Sequence, residues 1–163
     1  MKVMIVGAGK LGYRLAESMN NEDIDVTLVD TNFRTLERIN DHLDVLTVRA
    51  NGIQIATLKE LNIDTYDLLV AATNSDETNT LICTLAKKLH CKKTIARIRD
   101  PEFIEQLDFV KIEMGIDHII NPDLTTAIEI ERYLSKTYNF YSGDFAKGKV
   151  SMVDFHLGST HDF

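Results

Sequence analysis

The sequence predicts an α/β fold with a parallel sheet, and three observations carry this prediction. Short apolar runs alternate with amphipathic segments of about ten residues, which is typical of βαβ units. The first run, Val3–Val6, is apolar throughout, as in a strand that is buried on both faces. It leads directly into a glycine-rich turn, VGAGKLGYR at Val6–Arg14. Right-handed crossovers and this turn together predict the strand order 3-2-1-4-5-6, which is a Rossmann-like, doubly wound, six-stranded parallel sheet.

The predicted elements follow one another in regular alternation. The strands, taken from short apolar runs, are Val3–Val6, Asp25–Asp30, Val45–Val48, Leu68–Ala72, Thr94–Ile98 and His118–Ile120. The helices, taken from apolar residues at helical spacing or from a proline suited to a first turn, are Lys10–Met19, one across Leu36–Leu43, Ile53–Leu61, Thr78–Leu89, Pro101 to about Lys111, and Pro122 to about Tyr138. The last of these, after the sixth strand, is the predicted C-terminal crossover helix.

The composition favours one globular domain and argues against several classes of partner. The chain has 163 residues, of which 44% are hydrophobic and 26% charged, and a net charge of −7. Because phosphate contacts need clustered Lys and Arg, we expect no binding to nucleic acid. The two cysteines form no C-x-x-C pair, which favours a reducing, cytoplasmic setting. There is neither a signal peptide nor a run of about 20 apolar residues, so we expect no direct membrane insertion.

The glycine-rich turn has the pattern G-x-G-x-x-G of a dinucleotide-binding loop. Gly7 permits the tight turn, Gly9 lets the backbone approach a pyrophosphate, and Gly12 lets the helix pack on the sheet. The first N–H groups of the helix and the positive end of its dipole favour an anion. Lys10 either reaches a phosphate as a mobile charge or faces solvent. The candidate cofactor-binding residues in this loop are Gly7, Ala8, Gly9, Lys10, Leu11 and Gly12.

The ends of the second and third strands supply candidates for the adenosine. Asp30 ends the second strand, where a carboxylate meets the ribose hydroxyls, and Thr31 follows it. A carboxylate there would repel a 2′-phosphate, and no Arg follows it directly, which favours NAD or another adenine nucleotide over NADP. Asn51 and Gly52 follow the third strand, and Asn51 either approaches the adenine or forms an Asn-Gly turn.

The segment ATNSDETN follows the fourth strand. Since ligands of open α/β sheets lie outside the carboxyl ends of the strands, Thr73 and Asn74 are expected beside the phosphates or the distal ribose. For Thr73 we favour ligand contact. Ser75 and Asp76 are suited to capping the next helix.

Two arginines occur at the end of the fifth strand. Arg97 and Arg99 share one face by the period of two, and a buried strand seldom carries two Arg side chains without partners. They contact either an anionic ligand or a local acid such as Asp100 or Glu102. Arg97 lies nearer the predicted ligand edge and is the candidate for binding.

The sequence lacks the residues that hydride transfer would need. None of the five histidines falls at the carboxyl end of the first, fourth or fifth strand, and there is no Tyr-x-x-x-Lys pair. No H-E-x-x-H, G-x-S-x-G or Walker pattern occurs. We therefore predict a nucleotide site with no catalytic residue and no metal site.

Several segments together resemble one family. MKVMIVGAGKLGYRLAESM, VTLVDTN, RANG, LLVAATNSDETN, ARIRDPEF and IDHIINPD are similar to the N-terminal RCK (KTN, TrkA-N) domain of Trk/Ktr-type bacterial potassium-uptake regulatory subunits. ATNSDETN and ARIRDPEF are far more distinctive than the glycine loop. The matching segments span about residues 1–135.

The resemblance implies a non-catalytic cytoplasmic subunit that binds NAD(H) or ATP/ADP. It also implies homodimers that assemble into a ring at the inner face of the membrane, beneath a potassium transporter subunit that they gate by ligand-dependent conformational change. Lys10 lies where some relatives carry an Arg near the terminal phosphate. The residues that the resemblance places in the nucleotide site are Gly7, Gly9, Gly12, Asp30, Asn51, Thr73 and Arg97.

The alternative function is an NAD-dependent oxidoreductase domain that lacks its substrate domain. A catalytic acid–base set in a longer chain would favour that function. A redox-sensing repressor is a third class, and the acidic charge argues against it.

The expected domain organisation is a nucleotide-binding domain at 1–138 and a linker with the first strand of a truncated domain at 139–163. Asn139–Lys149 is typical of a linker, and Val150–Leu157 alternates as a half-exposed strand does. Because a lone strand is unstable, either a further domain begins here or the strand joins an edge of this sheet or of a partner's. The helix from Pro122 packs either on a second subunit or on its own sheet.

Overall fold

The computed structural model describes residues 1–20, 23–100, 107–136, 142–145 and 150–153. Contacts divide the chain into two compact units, Met1–Asn121 and Pro122–Phe163. No helix within the described ranges combines the length and the apolar character needed to cross a bilayer.

The first unit is built on a parallel sheet whose strands alternate with helices. Its strands are β1 (Lys2–Val6), β2 (Asp25–Asp30), β3 (Leu46–Arg49), β4 (Leu68–Ala71), β5 (Thr94–Arg97) and β6 (His118–Ile120). Its helices are α1 (Lys10–Met19), α2 (Phe33–Asn40), α3 (Ile55–Glu60), a 3₁₀ turn (Ile63–Thr65), α4 (Asp76–Lys88) and α5 (Leu107–Met114). The strand order is β3-β2-β1-β4-β5-β6 with parallel pairing throughout, which confirms the predicted doubly wound fold.

The core lies on both faces of the sheet, because successive residues of a strand point to opposite sides. Val3 and Ile5 of β1 pack with the buried residues of α1 and α2 on one face. Met4 and Val6 pack with α3 and α4 on the other face. Val3, Met4 and Ile5 are 0% exposed, so β1 is the central, doubly buried strand that its unbroken apolar run predicts.

Element boundaries differ from prediction where a side chain redirects the backbone. Helix α4 begins at Asp76, two residues early, because the Ser75 hydroxyl accepts the N–H of Thr78 at 3.1 Å and caps the helix. Helix α3 begins at Ile55, because the Asn51 side chain accepts the N–H of Ile53 at 3.1 Å and holds a turn there.

Helix α5 extends beyond the predicted Lys111 to Met114 and is followed by Gly115, whose φ is +69°. The N–H of Ile116 donates to the Lys111 carbonyl at 3.0 Å, a C-terminal cap that glycine favours. The predicted start of this helix, Pro101–Gln106, lies outside the described residues.

The second unit contains a helix and a hairpin. Helix α6 spans Pro122–Lys136, and strands β7 (Ser142–Phe145) and β8 (Val150–Val153) pair in antiparallel register. The expectation of a linker across Asn139–Lys149 is therefore corrected, since β7 lies within it and supplies β8 with the partner that a lone strand needs. This strand was not predicted because its sequence, SGDF, has only one large apolar side chain. The predicted end of the last strand, beyond Val153, lies outside the described residues.

Candidate functional site

The glycine loop joins β1 to α1 at the carboxyl edge of the sheet. Gly7 has a φ of +107°, and its N–H donates to the Val29 carbonyl at 2.8 Å. A Cβ on Gly7 would lie 2.7 Å from the Ala72 carbonyl carbon, and a Cβ on Gly12 would overlap the carbonyl oxygen of Gly7. Both glycines therefore act as predicted for the tight turn and the close packing of α1.

Gly9 differs from its two neighbours because the space beside it is open. It is the N-cap residue of α1, where no capping side chain is present, and a Cβ there would meet nothing within 4 Å. Gly9 and Lys10 are exposed, and Leu11 is half-buried. The first turn of α1 consequently offers its N–H groups to solvent, which is the arrangement that binds anions at helix N-termini.

The Asp30 carboxylate ties the end of β2 to this loop. One oxygen accepts the N–H of Ala8 at 2.7 Å, and the other accepts the N–H of Asn32 at 2.8 Å. Each carboxylate oxygen has a second lone pair that can accept a further hydrogen bond. Asp30 is thus fixed and partly exposed beside the loop, with the exposed Thr31 next to it.

The end of β3 forms the Asn-Gly turn that was one of the two interpretations of RANG. Asn51 is exposed and its side chain accepts the Ile53 N–H, whereas Gly52 is buried. A Cβ on Gly52 would overlap Cγ1 of Val6. Gly52 therefore has a packing role in this structure, and Asn51 is the residue of the pair that a ligand can reach.

Asn79 connects the ends of β4 and β5, and sequence reasoning missed this role. Its side chain is 0% exposed, and its oxygen accepts the Thr73 N–H at 2.8 Å and the Thr73 hydroxyl at 2.7 Å. Its amide nitrogen donates to the Arg97 carbonyl at 2.8 Å, and Arg97 donates to the Thr73 carbonyl at 3.2 Å. The sequence signal for this role of Asn79 is that a polar residue occurs on the buried face of α4, one turn before Ile82 and Cys83.

Arg99 finds an acidic partner that the sequence did not indicate. Its Nε lies 3.8 Å from Asp76, and its Nη2 donates to the Asn74 carbonyl at 2.7 Å. Asp76 also accepts the N–H groups of Arg99 and Asp100 at 2.8 and 2.9 Å. Asp76, the first residue of α4, is therefore a carboxylate partner of Arg99, and Glu102 lies outside the described residues.

The structure thus brings most predicted site residues to one edge. Direct hydrogen bonds connect Ala8 with Asp30, Thr73 with Arg97, and Asn74 with Arg99. Among the described side chains, the buried Nε of Arg97 has no hydrogen-bond partner. Donors for an anion and acceptors for hydroxyl groups lie at the carboxyl ends of neighbouring strands.

Neither a metal-binding cluster nor a thiol with a lowered pKa occurs among the described residues. No group of three or more His, Cys, Asp or Glu side chains in these ranges could hold a metal ion. Burial raises the pKa of the Cys83 thiol to about 12, and burial likewise raises the pKa of Cys91. Because the thiolate is the nucleophilic form, both cysteines are poor nucleophiles near neutral pH.

The fold and the loop place the protein in the class of Rossmann-like α/β domains. Within that class, the TrkA-N domain model matches residues 3–122, and the chain belongs to this family. The predicted resemblance is confirmed.

Two curated relatives carry names from potassium uptake. Over 164 residues the chain is 35% identical to Trk system potassium uptake protein trkA homolog 1 of Methanosarcina mazei, covering 96% of this chain and 40% of that protein. It is 35% identical over 156 residues to Trk system potassium uptake protein TrkA of Vibrio alginolyticus, covering 94% of this chain and 34% of that protein. The chain therefore spans less than half the length of these relatives.

Solved structures share the fold at low sequence identity. The TrkA-N domain of the inner membrane protein ybaL from Escherichia coli matches with a TM-score of 0.71 at 16% identity, over 82% of this chain and 96% of that one. The Shewanella denitrificans Kef CTD in AMP-bound form matches with a TM-score of 0.67 at 17% identity, over 85% of this chain and 83% of that one. The GsuK channel bound to NAD matches with a TM-score of 0.63 at 15% identity, over 73% of this chain and 21% of that one.

Proposed function

We propose that this chain is the nucleotide-sensing part of a cytoplasmic regulatory subunit that binds NAD(H) or ATP/ADP and gates a membrane potassium transporter. The observation that carries the proposal is the open N-terminus of α1 at Gly9, beside an Asp30 carboxylate that is fixed 2.7 Å from the Ala8 N–H. Membership of the TrkA-N family and the names of the two relatives support it. So do the GsuK channel bound to NAD and the Kef CTD in AMP-bound form, which share the fold.

In this proposal the glycine loop holds the phosphates. The N–H groups of Gly9, Lys10 and Leu11 face the anion, because a helix N-terminus concentrates unpaired donors and positive potential. The ammonium group of Lys10 is exposed and can move to the terminal phosphate as a point charge. Gly7 and Gly12 keep the backbone in the shape that permits this approach.

The adenosine lies at the ends of β2 and β3. Asp30 accepts the ribose hydroxyls through its remaining lone pairs, while Thr31 and Asn51 are exposed nearby. The carboxylate repels a 2′-phosphate, so the site favours NAD(H) and ATP/ADP over NADP(H). Thr73, Asn74 and Arg97 line the side toward the second half of the ligand, with the unpartnered Nε of Arg97 as a further donor.

The regulatory step uses a second copy of the chain. In the second unit, Ile130 and Leu134 lie one turn apart on α6 and are 55% and 63% exposed, which is an apolar surface suited to a partner. We infer a homodimer that assembles into a ring beneath the transporter.

Different nucleotides close the loops at Gly9 and Thr73 to different degrees, and this changes the contacts between subunits. A ligand shifts such an equilibrium only by its difference in affinity for the two states. Small-angle scattering of the protein with saturating NADH and with saturating ATP tests the step. We expect two distinct scattering profiles, and identical subunit arrangements with both nucleotides would overturn the switching proposal.

A further inference from the structure

A pocket lies at the edge of the sheet opposite the glycine loop, where β1, β4, β5 and β6 begin. Its volume is about 610 Å³, within the range of small-molecule sites, which is about 300–1,000 Å³. All of its described lining residues belong to the first unit. Because the strands are parallel, their amino ends meet here and their carboxyl ends meet at the other edge. The described lining residues therefore include none of those proposed to bind the nucleotide.

The floor of this pocket is apolar. Leu68 is the first residue of β4 and Ile95 is the second residue of β5, and both pack against the buried cluster around Ile5. Helices α1 and α2 bury that cluster over β1 and β2, whereas Leu68 and Ile95 are only half-buried. The flexible apolar side chain of Met1, a residue that is 57% exposed, lies beside them. The pocket can therefore cover the hydrocarbon part of a ligand.

The rim of the pocket is mainly basic. Lys92 and Lys93 precede β5, and His118 begins β6. Among the described lining residues the acidic one is Asp67, and it is already engaged. Its carboxylate accepts the ammonium group of Lys92 at 2.6 Å and the N–H of Lys2 at 2.8 Å. Asp67 thus compensates the charge of Lys92 and leaves the rest of the rim without an acidic partner.

Lys93 is the unpaired cation of this rim. It ends the basic run AKKLHCKK, Ala86–Lys93, in which Lys87 and Lys92 each pair with an aspartate. Within the described ranges Lys93 forms no ion pair. Lys88 likewise forms none there, but it lies on α4 and is not among the residues that line the pocket. An unpaired ammonium group beside an apolar floor is stabilised by a bound anion.

We propose that this pocket binds a small carboxylate with an apolar body. The hydrocarbon part lies on Leu68 and Ile95, and the carboxylate accepts hydrogen bonds from the ammonium group of Lys93 and from the ring of His118. Lysine presents a compact charge on a flexible stem, which suits a single carboxylate. No described lining residue is arginine, whose planar fork matches phosphate. The site does not rest on the proposed nucleotide function, whose groove lies at the other edge of the sheet.

Octanoate is the probe for this site. Its affinity is measured by titration calorimetry on the wild-type chain and on two variants. Lys93→Gln removes the unpaired charge of the rim. Lys88→Gln removes the same charge from the same basic run outside the pocket, and it is the matched control. Both lysines are exposed, so we expect both variants to fold as wild type does.

Two analogues of octanoate test the two parts of the ligand. Octanamide keeps the alkyl chain but has no charge, and acetate keeps the charge but has almost no apolar body. We expect each to bind at least about fivefold more weakly than octanoate, because each retains only one of the two contacts.

We expect Lys93→Gln to weaken octanoate binding about fivefold or more, because a charge-assisted contact is lost. Lys88→Gln is expected to change it less than about twofold. Absence of octanoate binding to wild type, equal weakening by the two variants, or equal affinity for octanamide and octanoate would overturn the proposal.

Two further measurements separate this pocket from the nucleotide groove and from a subunit interface. We expect Lys93→Gln to bind NAD⁺ with wild-type affinity, and a parallel loss of octanoate and NAD⁺ in this variant would overturn the proposal. If wild type binds octanoate but not NAD⁺, the nucleotide proposal alone fails. Analytical ultracentrifugation compares the mass of wild type with that of Lys93→Gln. A lower mass of the variant, with no octanoate binding to wild type, would assign the pocket to a second copy of the chain and overturn the carboxylate site.

Discussion

The carboxylate of Asp30 accepts the backbone N–H of Ala8 at 2.7 Å, which connects the end of β2 to the glycine loop after β1. One side chain therefore has two tasks. It shapes the glycine loop, and in the proposed function its free lone pairs accept the hydroxyl groups of a ribose. Removal of this carboxylate should affect both stability and binding.

Asp30→Ala tests these two tasks together. We expect it to lower the free energy of unfolding by about 1–3 kcal/mol, because the N–H groups of Ala8 and Asn32 lose a charged acceptor. It should also weaken NAD⁺, NADH, ADP and ATP. Urea unfolding and titration calorimetry provide the two measurements, with Asp44→Ala on the exposed surface as the control. Unchanged nucleotide affinity would remove Asp30 from the site.

Replacement by alanine at two glycines of the same loop should have different effects on the free energy of unfolding. Gly12→Ala places a Cβ against the carbonyl oxygen of Gly7, so we expect a loss of about 1–3 kcal/mol or more in the free energy of unfolding. Gly9→Ala places its Cβ in open space and should change stability by less than about 1 kcal/mol. Chemical denaturation of both variants makes the comparison. Equal stabilities would mean that α1 does not pack on the loop as closely as described.

The buried amide of Asn79 should be a major support of the site. Asn79→Ala leaves the Thr73 N–H and the Arg97 carbonyl without their partner, which we expect to cost about 2–4 kcal/mol. Asn74→Ala is the matched control, since Asn74 is exposed and contributes its backbone carbonyl to Arg99. Thermal unfolding distinguishes the two variants, and a loss of similar size in both would contradict the role of Asn79.

The second half of the sheet should be sensitive to acid through Asp117. Burial acts to raise the pKa of this carboxyl, but its bonds to Lys87 and to the Thr94 N–H outweigh burial and lower the pKa below the ordinary 3.8. A carboxyl with a lowered folded pKa adds stability above its unfolded pKa, and this stability is lost as the pH falls through the folded pKa. Asp117→Asn should therefore be less stable than wild type at pH 7, with a difference that shrinks below about pH 4.

Urea unfolding between pH 7 and pH 3 measures this effect. Asp64→Asn, at an exposed position, is the control and should follow the wild-type profile. A constant difference between Asp117→Asn and wild type across this range would show that the Lys87 contact does not depend on the charge of Asp117.

The fold was predictable because its signals are local. The apolar run of β1, the spacing of apolar residues in α1 and the three glycines each determine their own segment, and the crossover rule orders the strands. The position of Asp30 beside the glycine loop was predictable because Asp30 ends a strand at a fixed place relative to the loop. The Ser75 cap was predictable because a capping serine is recognised from its position immediately before a helix.

The remaining contacts join residues that are distant in sequence. Asp76 meets Arg99, and Asn79 meets Arg97, only once β4 and β5 lie side by side. Their periodicity indicated a helix and a strand but not which polar groups would meet. Strand β7 was missed because SGDF resembles a turn, and its partner β8 supplies the pairing that its own composition does not indicate.

The central claim is that Gly9 leaves room for the phosphates of a nucleotide. Titration calorimetry of NAD⁺ and of ATP into wild type and Gly9→Ala tests it most directly, with Lys59→Gln as a control outside the site. We predict that wild type and Lys59→Gln bind with the same affinity and that Gly9→Ala binds at least about tenfold more weakly while remaining as stable as wild type. Equal affinity of Gly9→Ala and wild type, or no binding of either nucleotide to wild type, would contradict the account.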